Sequence, residues 1–465
     1  MNEADSPTGT TADAVVIGAG MAGLLAAAVL SGSGRTVTVL ERDTATTVPA
    51  PRDGVPQGRQ PHVLLHRGLC EIEELLPGLR QQLIAAGGVP LDTGNLAWLG
   101  ERGWAPFGTS AFELVSATRP LVEHLVRERV TALPGVVLLG GARVRGLNRP
   151  ASGTGWLVER HGAPAVRTDL VVDASGRGSR MPQWLAQQGL GEVPATSVDA
   201  GFGYAGRAYA APPGHLGRVA GVVLLPTAGC PAGGVALPVE GGRWLVAAVG
   251  AAEHRPPRDP EGFDAFLARL RDPALADFTA SARPLGDIAV HRRTGNLRRH
   301  YDRMASWPDG LLVTGDSLCA FNPVYGQGIT VAATQALLLR RALATTRPGW
   351  EHRLVRRLAR AADLPWAIAT GEDLRHTGGG RRSGVDALFG RWSGEVDRLA
   401  AHGNVRAQRT LDSIYHLVGS PARLFDPALI VSAVKARLMG LPAPSPRPPL
   451  NSSLGRAGSL QEKTG

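Results

Sequence analysis

The stretch ADAVVIGAGMAG, residues 12–23, runs from an apolar strand pattern into three closely spaced glycines, and LLAAAVL follows directly. An unbroken apolar run is what a strand buried on both faces of a parallel sheet requires. The alanines and leucines that follow favour a helix. RTVTVLE, residues 35–41, supplies a second strand, so the chain opens β-α-β. In this setting each glycine has its own task. Gly18 permits a tight turn, Gly20 lets the backbone approach a pyrophosphate, and Gly23 lets the helix pack closely on the sheet. The helix N-terminus offers N–H groups to the phosphates. Glu41 ends the second strand, where a carboxylate can accept a ribose hydroxyl. Strand before, helix after and second strand beyond make this a dinucleotide motif, without separating NAD from FAD.

A second stretch makes that separation. GDSLCAFNPVYGQGITVAA, residues 315–333, follows another buried strand, LLVTGD (311–316). Asp316 stands where it can take a ribityl or ribose hydroxyl. Pro323 and the turn Gly326-Gln327-Gly328 present backbone N–H groups at the start of a helix from Ile329. A helix N-terminus favours negative charge on a reduced flavin ring. A nicotinamide dehydrogenase needs no such distant second site.

The rest of the chain is organised around these two. Of 465 residues, 43% are hydrophobic, enough for a sizeable core, and no run of apolar residues is long enough to span a membrane. The polar N-terminus does not read as a secretory signal. Cys70, Cys230 and Cys319 form neither a disulfide framework nor a metal pattern, and a reducing cytoplasm is the expected location. The net charge of +10 is carried almost wholly by arginine beside 60 glycines and 35 prolines; Lys435 and Lys463 are the only lysines. Its basic clusters are short and scattered, a solvated surface rather than a nucleic-acid face. Helices are expected over 62–86, 119–133 and 261–272. Strands are expected around 136–147 and 154–160, and at DLVVDASGRGSR (169–180). GVALPVEGGRWLVAAVG predicts a hairpin turning at Glu240-Gly241-Gly242, within a mainly antiparallel inserted sheet. GGGRRSG (378–384) reads as a flexible connection.

The pairing of GAGMAG with GDSLCAFNPVYGQG resembles the flavoprotein monooxygenases of the para-hydroxybenzoate hydroxylase type. GVPQGRQPHVLL (54–65), SATRPLVEHLVRE (116–128), VVDASGRGSR (171–180) and LPVEGGRWLV (237–246) are similar to the actinobacterial branch holding the lasalocid and monensin epoxidases. The resemblance implies an α/β fold: a Rossmann-like, GR2-type FAD-binding domain with an inserted mainly antiparallel β-sheet substrate domain and a helical C-terminal segment. Its implied boundaries are FAD-binding parts at 12–184 and 311–348, a substrate sheet at 185–310 and C-terminal helices at 349–440. Disordered tails would lie at 1–11 and 441–465. It implies that Gly18, Gly20, Met21, Ala22, Gly23, Glu41 and Arg42 hold the adenosine half of FAD. Arg119, Asp173, Gly315 and Asp316 would complete the cofactor set, and Arg59, Pro323, Gly326, Gln327 and Gly328 would border the flavin ring. Tyr204, Arg207 and Tyr209 are candidates for the substrate cavity. No metal is expected.

The chain departs from that family twice. Asp173-Ala-Ser-Gly176 replaces the A-D-G variant, in a segment associated with flavin and transient NADPH contacts. Ser-Leu-Cys follows the GD pair where phenol hydroxylases often carry a His. The implied activity is transfer of one oxygen from a flavin C4a-hydroperoxide to a carbon–carbon double bond of a hydrophobic polyketide, terpenoid or indole-type intermediate. Electrons would come from NADPH or NADH, or from a separate flavin reductase, and O2 is the co-substrate. Aromatic hydroxylation is the alternative, because an alkene needs no general base and a phenol benefits from one. A halogenase (no W-x-W-x-I-P stretch is present), a prenyl-chain reductase and a non-enzymatic FAD sensor share the scaffold.

Overall fold

The computed structural model describes residues 11–44, 46–108, 112–151, 154–211, 214–376 and 384–450. The opening strand Thr11–Ile17 lies between Val37–Leu40 and Ala163–Asp173, both parallel to it. Val136–Leu139 extends this sheet beyond Val37–Leu40. Leu311–Val313 pairs in parallel with the last residues of Ala163–Asp173, whose first half instead pairs antiparallel with Trp156–Arg160. The registers Ile17↔Leu40, Ile17↔Asp173 and Val313↔Asp173 bring four parallel strands to an end in one line. Ligands of open α/β sheets bind beyond such carboxyl ends. Helices Met21–Gly32 and Gly328–Leu343 share one core with this sheet, where Leu24, Leu25 and Ala333 are wholly buried.

The second sheet has the order Arg283–His291, Gly203–Ala210, Arg243–Gly250, Ala232–Val239, Gly221–Leu224, Leu96–Leu99. All neighbours are antiparallel except the last pair. The hairpin turns at the expected residues, with Gly241 and Gly242 at φ +73 and +64. Helices Pro260–Ala268 and Ala274–Ser281 bury Phe263 and Phe278 against one face. Val235, Leu237 and Val249 leave the opposite face to line a cavity.

Several expectations are corrected. The helix expected over 62–86 is two, His66–Leu75 and Leu79–Ala85, because Pro77 removes a donor and Gly78 turns at φ +85. The strand around 136–147 is likewise two, Val136–Leu139 and Val144–Asn148. Leu96–Leu99, which lies within the segment assigned to the first FAD-binding part, pairs with Gly221–Leu224 of the second sheet. Residues 441–450 have no regular structure but are anchored: Arg447 grips buried Asp272 through Nε and Nη2 at 2.8 and 2.9 Å, and Leu450 packs on the second core. The tails 1–10 and 451–465, and residues 378–383 of the glycine-rich connection, lie outside the described residues.

From Trp350 to Met439 the described chain is mainly helical: Trp350–Ala361, Asp363–His376, Gly384–Ala401, Val405–Tyr415 and Pro427–Met439. Among the described residues, no helix is long and apolar enough to cross a membrane.

Candidate functional site

One cavity of about 2160 Å³ connects the carboxyl ends of the first sheet with the free face of the second. Pockets for a single small ligand run to roughly 1,000 Å³, so this space can hold a dinucleotide and a second sizeable molecule. Its walls explain the glycine pattern. A Cβ at Gly18 (φ +98) would sit 2.5 Å from the Ala174 carbonyl oxygen, and one at Gly23 would lie 1.9 Å from that of Gly18. Gly20 is different, because no atom lies within 4 Å of where its Cβ would be. It lines the cavity, beside Met21 and Ala22, at the start of a helix that no side chain caps.

Glu41 is buried at the cavity wall and braces the glycine loop. Its Oε2 accepts the Ala19 N–H at 2.7 Å, and its Oε1 accepts the Asp43 N–H at 3.0 Å. Arg52 Nη1 stands 3.3 Å from Oε2. A carboxylate has about four acceptor positions, so a ribose hydroxyl can still be taken. Arg42 is exposed at the cavity edge. Arg119 opens its helix and lines the cavity, its Nε donating to Glu123 Oε1 at 2.6 Å. Burial would raise the Glu123 carboxyl, but Arg119 and Arg52 outweigh it and hold it below the usual range.

At the other end, Gly315 (φ +60) passes so close to Ala22 that a Cβ would lie 2.5 Å from it. Asp316 therefore sits beside the first glycine motif. Its backbone carbonyl accepts from Arg299, while its carboxylate receives no hydrogen bond among the described residues and borders the cavity near Gly328. Burial raises its carboxyl, with Arg177, Arg119 and Arg299 opposing. Pro323, Gly326, Gln327 and Gly328 all line the same space, and the amide oxygen of Gln327 is buried with no partner among the described residues. Helix Gly328–Leu343 also starts without a side-chain cap.

Other expected residues lie elsewhere. Arg59 is exposed and does not line the cavity; its neighbours Gln60 and His62 do. Asp173 is fully buried behind the wall, where it accepts Ser175 N–H at 3.0 Å and the hydroxyls of Ser175, Ser179 and Ser317. It braces a turn and does not itself line the cavity. Tyr204 lines the cavity, its hydroxyl donating to Asn322 Oδ1 at 3.1 Å. Arg207 bonds the Gly286 carbonyl, and Tyr209 packs on Phe278 in the second core, both away from the cavity. The alternation along this strand puts Tyr204 and Tyr209 on opposite faces.

Three features were not foreseen. His62 lines the cavity from the loop after the second strand, with Nδ1 at 2.9 Å from the Gln60 carbonyl oxygen. A carbonyl can only accept, so in the neutral ring Nδ1 carries the proton and Nε2 is the open acceptor. Burial first, and Arg119 second, push this His down to about 4. His291 lines the cavity from the second sheet, and burial lowers it too. The third is Asp373, fully buried on a C-terminal helix. It accepts Asn296 Nδ2 at 2.7 Å, Asn322 Nδ2 at 3.0 Å and the Tyr325 hydroxyl at 2.9 Å. Burial pushes its carboxyl up to about 6. No local motif announces these groups: His62 and His291 bond carbonyls only two residues away, but the cavity they line is assembled from distant segments, as are the partners of Asp373.

The family model for an FAD binding domain matches residues 11–357. The chain belongs to the FAD-binding domain family of flavin-dependent monooxygenases. It is 33% identical over 443 residues to Protein Rv3254 of Mycobacterium tuberculosis, covering 88% of this chain and 91% of the relative. Its fold is similar to PqsL, a probable FAD-dependent monooxygenase from Pseudomonas aeruginosa: TM-score 0.60, 17% identity, 79% of this chain and 99% of PqsL. It is also similar to OxyS, an anhydrotetracycline hydroxylase from Streptomyces rimosus: TM-score 0.56, 19% identity, 88% of this chain and 77% of OxyS. The walls fit FAD. Gly20 leaves open space for phosphates, two helix N-termini without a side-chain cap open on one cavity, and the Asp316 carboxylate and Gln327 amide oxygen have no hydrogen-bond partner among the described residues. When bound, FAD supplies the redox chemistry and the protein supplies binding, orientation and exclusion of water.

Proposed function

We propose that this protein is an FAD-dependent monooxygenase that adds one atom of O2 to a large, mainly apolar small molecule. NADPH, NADH or a separate flavin reductase supplies the electrons. The observation that carries the reading is the continuity of the cavity, from the two glycine-rich loops to the apolar face of the second sheet. Met21, Ala22, Glu41 and Arg119 hold the adenosine and phosphate end. Asp316 takes a ribityl hydroxyl, and the N-terminus of Gly328–Leu343 favours negative charge at the ring. Segments 12–184 and 311–348 form the cofactor side; 185–310, joined by Leu96–Leu99, forms the substrate side. Leu96, Trp98, Val235 and Leu237 exclude water there and offer no group that would ionise a substrate.

Epoxidation of a carbon–carbon double bond in a polyketide, terpenoid or indole-type compound is the first reading within this class. Aromatic hydroxylation is the second, and His62 favours it. Its neutral imidazole, with Nε2 open, can accept a hydrogen bond that orients a phenol, while burial and Arg119 leave it a weak base. Both readings are tested by one procedure: anaerobic titration of the FAD-loaded protein with NADPH, then admission of labelled O2 with alkene and phenol panels. Bleaching of the flavin and a product carrying one labelled oxygen support the proposal. Flavin that is never reoxidised with transfer of oxygen to any carbon, even when reduced by a separate reductase, overturns it.

A further inference from the structure

Helix Pro427–Met439 is apolar on two sides. Leu429 and Ala433 are buried on one side, in a core shared with Val396, Leu399 and Leu424. With 3.6 residues per turn, Ile430, Val431, Val434 and Leu438 fall together on a second arc. These four are exposed, Leu438 to 81%. An apolar stripe facing outward on a surface helix is the reverse of ordinary amphipathic patterning. Lys435 borders the stripe on one side and Arg437 on the other, both exposed. Met439, 84% exposed, ends the helix on the far side of Lys435. Just before the helix, exposed Phe425 meets exposed Phe389 with ring centroids 6.2 Å apart, and Phe389 also lines the cavity. Of the acidic groups nearby, Asp426 pairs with Arg406 at 3.2 Å and Glu395 with Arg398, and Glu395 also lies within electrostatic reach of Arg437.

We propose that this face docks on the surface of an anionic lipid bilayer, with the helix lying in the interface and the Phe389 edge of the cavity beside the lipid. Apolar residues between flanking basic ones are what such helices present to headgroups and acyl chains. Lys435 and Arg437 would meet lipid phosphates. A second copy of the chain fits less well, since a two-fold contact of this stripe with itself brings like charges together. The inference concerns where the protein sits and does not depend on which oxygen transfer it performs.

The test is flotation of the full-length FAD-loaded protein with phosphatidylcholine vesicles, with and without phosphatidylglycerol. Association with the anionic vesicles that weakens with added salt is expected. The double variant Val434→Glu/Leu438→Glu should lose about tenfold or more of that affinity while keeping its FAD content. Lys435→Gln/Arg437→Gln should lose several-fold and leave the apolar stripe intact. Absence of binding, equal binding to neutral vesicles, or unchanged binding by the Glu variant would each overturn the proposal. So would self-association in sedimentation that Val434→Glu abolishes, because a second copy would then cover the face.

Discussion

At the scale of single residues, the cavity separates glycines held by the protein from a glycine held open for a ligand. Gly23→Ala forces a Cβ against the Gly18 carbonyl oxygen, and a loss of roughly 1–3 kcal/mol or more of stability is expected in a denaturant titration. Gly20→Val adds a Cβ that meets no atom within 4 Å. It should fold with an unchanged midpoint and bind FAD much more weakly, which a flavin-fluorescence titration reads. Asp316→Ala removes a charge-assisted acceptor worth about 1.5–3 kcal/mol, so FAD affinity should fall roughly tenfold to a hundredfold. Residues of this kind were legible because their constraint is local: a turn, a helix start, a strand end. Asp173 was misplaced for the same reason turned round. It stands at a strand end, but three serine hydroxyls claim its carboxylate, and one of them, Ser317, comes from a distant segment. Arg59 had a plausible loop, yet burial selected Gln60 and His62 for the wall.

At the scale of elements, the site is held by charges that tie segments together. Glu123 joins the helix from Arg119 to the loop carrying Arg52. Glu123→Ala removes the carboxylate partner of Arg119, while Arg52 keeps Glu41 and Asp43, and a loss of about 1–3 kcal/mol is expected by urea unfolding. Asp373 ties a C-terminal helix to Asn296 of the inserted segment and to Asn322 and Tyr325 beside the ring site. Its folded-state carboxyl, raised to about 6 from 3.8, binds its proton more tightly in the native than in the unfolded chain. Its contribution is therefore full below about pH 4 and is lost as pH rises through about 6. Compared with wild type, Asp373→Asn should lack this falling limb when unfolding midpoints are measured against pH. An identical pH profile would contradict the assignment. The β-α-β opening, the hairpin at Gly241-Gly242 and the C-terminal helices were readable from periodicity and turn chemistry. The parallel pairing of Leu96–Leu99 with Gly221–Leu224 was not, because register between strands so far apart leaves no local pattern.

At the scale of the molecule, the two glycine-rich loops face one space because Gly315 passes against Ala22 at the end of the parallel sheet. The second sheet closes that space with an apolar face, and its other face is spent on two helices. Sequence pointed to one ligand gripped twice; the size of the cavity and its apolar arm required the fold. The most direct measurement is equilibrium titration of apo-protein with FAD, comparing wild type with Gly20→Val and Asp316→Ala, which alter the two loops separately. One FAD per chain, weakened by both substitutions without loss of folding, is the predicted result. No FAD binding by the folded wild type, or binding indifferent to both substitutions, would contradict the claim that these loops hold a single flavin.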